Sequence, residues 1–217
     1  MSTSRERILG SIRSALGRAG PLSERDASVE RERLMEHPVG PRPMLSWDPV
    51  ERFRERARLL SSTVDEVATW TDVPGAVAAY LTGNGLSSQI VAWSDLPTCD
   101  WIGAGLSVES RRASGSDPVG ITGCFCAIAE TGTLLCLSGT GTPPSTSLLP
   151  ETHIALVPCS RIVKTMEDAW ALVRSERAHM PRAANFISGP SRTADIEQTL
   201  VLGAHGPYRV HVVLVRA

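Results

Sequence analysis

Two stretches of the chain carry residue types at spacings that chemistry can use. The first is "AIAETGTLLC", Ala127 to Cys136. Glu130 stands between an apolar run and Thr131-Gly132-Thr133, and a second apolar run follows. This order puts a carboxylate at a strand end beside a glycine-permitted turn, where backbone N–H groups can face a ligand. A carboxylate so placed can serve as a base, as a nucleophile or as a group that orients a ligand. It can equally accept hydrogen bonds from its own turn, because a carboxylate between apolar runs needs partners once it is buried.

The second stretch is "ISGPSRTADIEQTLVLGAHGP", Ile187 to Pro207. After the apolar "NFIS", the turn "SGPSRT" is expected to lead into a helix starting near Ala194. A strand-to-helix turn of a parallel sheet lies at its carboxyl edge, where open α/β sheets bind ligands. Helix-start N–H groups with Ser188, Gly189, Ser191 and Thr193 would hold an anion, and Arg192 would add a fork of donors. Asp195 and Glu197 suit the first turn of a helix without any ligand. In that reading Thr193 is the N-cap and Arg192 pairs with one of the acids, and both readings stand at this point.

Two histidines complete the set. "GAHGP" puts His205 and Gly206 in a second turn, either held beside the first or exposed to solvent. His153 opens the apolar run "HIALVPC" after a long loop from Gly139 rich in Gly, Thr, Ser and Pro. Such a loop suits a ligand lid or a plain surface connection. A histidine at a strand start is either a structural hydrogen-bonding group or a proton carrier.

The elements that must position these groups follow from periodicity. Ile8, Leu9, Ile12 and Leu16 recur at helical spacing, with Ser4 as the expected N-cap and Gly17 as the stop. Gly20 to Pro49 is rich in Pro, Gly and charge, and reads as an extended linker or arm. From Asp48 a helix runs to about Leu60 with Phe53, Ala57 and Leu60 on one face. "TVDEVAT" is strand-like, Val73 to Leu81 helical and "SQIVAWS" a short strand, a rhythm that argues an α/β domain with a mainly parallel sheet. "PVGITGCFCAIAETGTLLCLS" holds several short strands, Thr165 to Arg177 is a helix, and "NFIS" and "VHVVLV" close as strands. The expected organisation is a helical arm and linker over 1–47 and an α/β domain over 48–217.

Composition narrows the function classes. The 217 residues are 42% hydrophobic and carry a net charge of −1, which argues against binding nucleic acid by bulk electrostatics and leaves a local anion site open. Residues 1–58 hold twelve arginines interleaved with acids, the pattern of a solvated helical surface. Lys164 is the sole lysine, so Schiff-base chemistry has a single possible carrier. The five cysteines (Cys99, Cys124, Cys126, Cys136 and Cys159) contain no C-x-x-C pair, the wrong spacing for the common zinc or iron–sulfur sites. Without a signal peptide or an apolar run near 18 residues, a cytoplasmic protein with reduced thiols is expected. No G-x-G-x-x-G fingerprint offers a dinucleotide site.

The motifs "AIAETGTL", "SLLPETHIALV", "ISGPSRTADIEQTLVLGAHGP" and "VHVVLV", in this order over the last hundred or so residues, resemble the LUD domain of the lactate utilization protein C (LutC/YkgG) family. The resemblance implies a fold like that of the NagB/RpiA/CoA-transferase superfamily. It also implies a part in L-lactate oxidation to pyruvate, alongside partner subunits that carry iron–sulfur clusters, with no cofactor on this chain. Its motif positions are Glu130, Thr131 and Gly132, then His153, then Ser188 through Thr193 with Asp195 and Glu197, and finally His205 and Gly206.

The leading expectation is therefore a component of a lactate-oxidising system with a small carboxylate or phosphate site. Glu130 and His205 are the candidate catalytic groups. Thr131, Gly132, Thr133, His153, Ser188, Gly189, Ser191, Arg192, Thr193, Asp195, Glu197 and Gly206 are the candidate binding positions, with no metal. One alternative is a stand-alone enzyme acting on an acyl-CoA or a sugar phosphate. The other is a non-catalytic scaffold whose arm docks a partner.

Overall fold

The computed structural model describes residues 3–18, 20, 22–37, 40–42, 44–193 and 201–216. The chain divides into two compact units, Met1–Met44 and Leu45–Ala217. The first holds α1 (Ser4–Ala15) and α2 (Glu24–Glu36). Thr3 rather than Ser4 caps α1, in a reciprocal capping box with Glu6. The extended linker expected from Gly20 onward is corrected by α2, a helix capped by Ser23 and ended by His37 in the left-handed conformation. Neither helix buries a side chain, so local capping and helix-forming residues stabilise α2 where an apolar stripe is missing.

The second unit begins with α3 (Pro49–Leu59). The Asp48 side chain accepts from the N–H groups of Val50 and Glu51, and Pro49 occupies the first helical position. There follow β1 (Thr63–Val67), α4 (Val73–Gly83), β2 (Gln89–Ala92), β3 (Ser107–Ser110), β4 (Val119–Thr122), β5 (Cys126–Ile128) and β6 (Thr133–Leu137). The chain continues through α5 (Ser145–Leu148), β7 (Thr152–Pro158), β8 (Ile162–Val163), α6 (Met166–Glu176), β9 (Ala184–Ile187), β10 (Arg192–Thr193), β11 (Val201–Leu202) and β12 (Arg209–Val215).

Six strands in the order β1-β12-β7-β4-β2-β3, all parallel, form the main sheet. Alternation along β7 and β12 splits its faces. Ile154, Leu156, Val213 and Val215 pack with Val73, Val77 and Leu81 of α4. Ala155, Val157, Val212 and Leu214 pack on the other face with Phe53 and Ala57 of α3. On that second face lies a smaller sheet, β8-β5-β6-β9. Its Ala127, Leu134 and Cys136 face the main sheet, while Cys126, Ile128 and Leu135 face Ala169 and Val173 of α6. The mainly parallel α/β architecture agrees with the reading of the sequence. The layer between the main sheet and α6 is itself a sheet.

β5 and β6 form an antiparallel hairpin, and β9 runs antiparallel to β6. The "NFIS" strand therefore belongs to the mixed small sheet, so the expected carboxyl edge of the parallel sheet does not form there. Arg192 and Thr193 pair with Leu202 and Val201 in a two-stranded ribbon. The helix expected near Ala194 lies outside the described residues, as do Asp195 and Glu197.

Candidate functional site

Two glycine turns close on the end of α3. In the turn between β5 and β6, Gly132 has φ +69°, and a Cβ there would stand 2.6 Å from the backbone nitrogen of Ala57. After β9, Gly189 has φ +79°, and a Cβ there would collide with the carbonyl of Leu60. Both positions need glycine twice over, for the left-handed backbone and for the close approach of a helix. Arg192 fastens the same place: its Nη2 donates to Leu60 O at 2.8 Å and to the Ser61 hydroxyl. A guanidinium at this helix end satisfies a carbonyl that has no intrahelical partner and meets the negative end of the helix dipole.

The two turns of the Ile187–Pro207 stretch are tied to each other. The Ser191 N–H donates to Pro207 O at 2.9 Å, the Gly203 N–H donates to Ser191 O at 2.9 Å, and the His205 N–H reaches Ser191 Oγ at 3.3 Å. Between them is a cleft of about 410 Å³ whose walls include Ser188, Gly189, Ser191, Arg192, His205 and Gly206. Six of the expected site residues thus share one cleft. Ser147 and Leu148 of α5 and Phe186 of β9 also line it, and the sequence reading missed them. Their signal is weak, because α5 is a four-residue turn inside a Ser/Thr/Pro-rich loop. Among the described residues none that lines the cleft is acidic, and Arg192 is the charged group they offer to an anion.

The remaining candidates fall elsewhere. Glu130 Oε1 accepts the backbone N–H of Met166, the first residue of α6, at 2.8 Å. Its carboxylate thereby takes up an orphan donor of that helix and faces the positive end of its dipole. Thr131 is half-buried, with a hydroxyl that has no partner among the described residues. Thr133 is buried and touches the cleft indirectly, its Oγ1 lying 2.7 Å from Ser188 Oγ.

His153 stands inside the sheet, fully buried on β7. Its Nε2 is 2.8 Å from Thr122 Oγ1, and its Nδ1 has no partner among the described residues. Burial lowers its pKa to about 4, which keeps the ring neutral near pH 7. It does not line the cleft. The five thiols are free, and among the described residues no cluster of His, Cys, Asp or Glu could hold a metal ion.

The LUD domain family model matches residues 94–215, which contain the Glu130 turn and the whole cleft. The chain is 40% identical over 132 residues to the lactate utilization protein C of an Exiguobacterium species, covering 58% of this chain and 57% of that protein. It is 43% identical over 152 residues to its counterpart in Halalkalibacterium halodurans (69% of this chain, 62% of that protein). In Macrococcus caseolyticus the match is 34% over 183 residues, covering 76% of this chain and 77% of that protein. The chain thus spans little more than half the length of some of these relatives. A crystal structure of a DUF162 family protein from Deinococcus radiodurans shares the fold, with a TM-score of 0.59 at 24% identity over 80% of this chain and 99% of that one. By sequence, this chain belongs to the LUD domain family, alongside relatives named lactate utilization protein C.

Proposed function

We propose that the protein serves L-lactate utilization in the cytoplasm. In this reading it is a component of a lactate-to-pyruvate oxidising system whose iron–sulfur clusters reside on partner subunits, and its LUD domain holds a small carboxylate or phosphate in the Ser188–Gly206 cleft. The observation that carries the anion site is the composition of that cleft: Arg192, His205, Ser188 and Ser191 line it, with no carboxylate among the described residues of its walls. The relatives named lactate utilization protein C support the metabolic role. A guanidinium anchored through one nitrogen on the end of α3 is held in place before any ligand arrives, which lowers the ordering cost of binding.

Calorimetry with L-lactate, pyruvate and inorganic phosphate tests the anion site. Arg192→Ala should abolish binding with the circular dichroism spectrum retained, and equal binding by both proteins would overturn the assignment. Co-purification of iron–sulfur proteins with the tagged chain from lactate-grown cells tests the partnership.

A further inference from the structure

A second recess, of about 490 Å³, opens where β2 and β4 end and shares no residue with the Ser188–Gly206 cleft. Trp93 follows the last residue of β2 and Gly123 the last residue of β4, and both line it. These adjacent parallel strands are where the chain changes direction. From β2 it passes to β3 on one side, and from β4 it passes to β7 on the other. Loops that diverge in this way open a crevice at the carboxyl edge, the position where open α/β sheets take ligands. Its volume lies within the range of small-molecule sites.

The walls are fixed. The Trp93 indole N–H donates to Pro143 O at 3.0 Å, and the Ser94 N–H donates to Gly141 O at 3.2 Å. Gly141 packs directly against the Asp95 carboxylate, where an added Cβ would push that side chain aside. On another wall the Phe125 ring is flanked by two guanidinium groups, Arg161 at 4.8 Å and Arg177 at 5.3 Å from its centroid. Arg161 is occupied by a two-nitrogen pair with Glu176 and by the Phe125 carbonyl. Arg177 has no carboxylate within 4.0 Å among the described residues, and Asp95 has no cation. The recess therefore holds an unpaired cation with His179 beside it in the lining, an unpaired carboxylate, and the hydroxyls of Ser138, Thr140 and Thr142.

From this set we infer that the recess binds a small organic anion bearing hydroxyl groups. Arg177 and His179 receive its carboxylate or phosphate, and Asp95 with the loop hydroxyls receives its hydroxyls. The anion satisfies the guanidinium that Phe125 holds in place, and Asp95, an acceptor only, selects for hydroxyl donors. This site stands on its own residues and is independent of the anion assigned to the other cleft.

The Trp93 indole N–H resonance, identified by its loss in Trp93→Phe, reports the site. It should move on titration with gluconate or with glycerol 3-phosphate, which separate a carboxylate ligand from a phosphate ester. Inorganic phosphate and glycerol, which carry the anion and the hydroxyls apart, should each bind at least about tenfold more weakly. Arg177→Met should weaken the better probe by about tenfold or more, and Arg192→Ala should leave it unchanged. His179→Ala, at an exposed position, gives a second variant if Arg177→Met does not fold. An unmoved resonance with both gluconate and glycerol 3-phosphate would overturn the inference. So would equal affinity in wild type, Arg177→Met and His179→Ala, or phosphate or glycerol alone binding as tightly as the joined molecule.

Discussion

Thr133 Oγ1 and Ser188 Oγ lie 2.7 Å apart, one residue beyond the Leu134–Ile187 pair of β6 and β9. This contact joins the turn that carries Glu130 to the turn that carries Arg192, and Thr133 is 3% exposed, so water does not replace a lost partner there. Thr133→Val keeps the shape and removes the hydroxyl. It should lower stability by about 1–2 kcal/mol, the cost of leaving a poorly solvated hydroxyl without its bond. Urea denaturation of Thr133→Val, Ser188→Ala and the double variant checks this. A coupling energy near zero in the cycle would show that the two hydroxyls do not cooperate.

Gly132 and Gly189 should resist substitution more than glycines in open turns. Gly132→Ala meets both a left-handed backbone and the backbone of Arg56 and Ala57, and should cost about 2–4 kcal/mol. Gly85 has nearly the same conformation, φ +63°, with nothing within 4 Å of its added Cβ. Gly85→Ala should cost only about 1 kcal/mol. Equal losses at the two positions would show that approach to α3 contributes nothing.

Stability should fall as the solution becomes mildly acidic. His153 and His211 are both buried, and burial lowers each pKa to about 4 from the ordinary 6.5, against a smaller opposing pull of Asp65 on His211. Between these values the unfolded chain binds protons that the folded chain refuses. Stability therefore rises with pH through this window, is complete above about 6.5, and is lost as pH falls towards 4. Each histidine accounts for up to about 3 kcal/mol. Urea midpoints should drop between about pH 7 and pH 5, and His211→Gln should flatten that slope. An unchanged slope would remove His211 as a source. His211 also stacks on Tyr80 with ring centroids 3.8 Å apart, so the variant's lower stability at neutral pH must be measured alongside.

How far the sequence carried the fold depended on the range of each signal. α3 and α6 were legible because Asp48 and Thr165 cap them and Phe53, Ala57, Ala169 and Val173 recur at helical spacing. β7 and β12 were legible as apolar runs buried on both faces of a parallel sheet. α2 was not, since Glu24–Glu36 is dominated by charged residues and its few apolar side chains make no continuous stripe. The small sheet was not legible either, because β8 and β9 join the β5–β6 hairpin through pairings distant in sequence. At the site, the Gly-Pro-Ser-Arg and Gly-Ala-His-Gly-Pro turns announced themselves by composition, and the fold unites them in one cleft. The second recess was missed because Trp93, Gly139 and Arg177 come from three separate loops, and only the strand order brings them together.

The same long-range limit governs Glu130, whose partner Met166 is 36 residues away. Two roles for its carboxylate predict different variants. As the acceptor for the first N–H of α6, its essential property is an oxygen at the right place, which glutamine also supplies. Glu130→Gln should then match the wild type within about 0.5 kcal/mol, while Glu130→Ala should lose about 1 kcal/mol, the usual cost of a missing helix cap. As a base or nucleophile, its essential property is the charge, and Glu130→Gln should abolish function in a fully stable protein. Growth on L-lactate, with a strain lacking the natural copy complemented by each variant, reads the second role, and thermal denaturation reads the first. Normal growth with Glu130→Gln would leave Glu130 as a helix-capping group and place any chemistry of this chain on other residues.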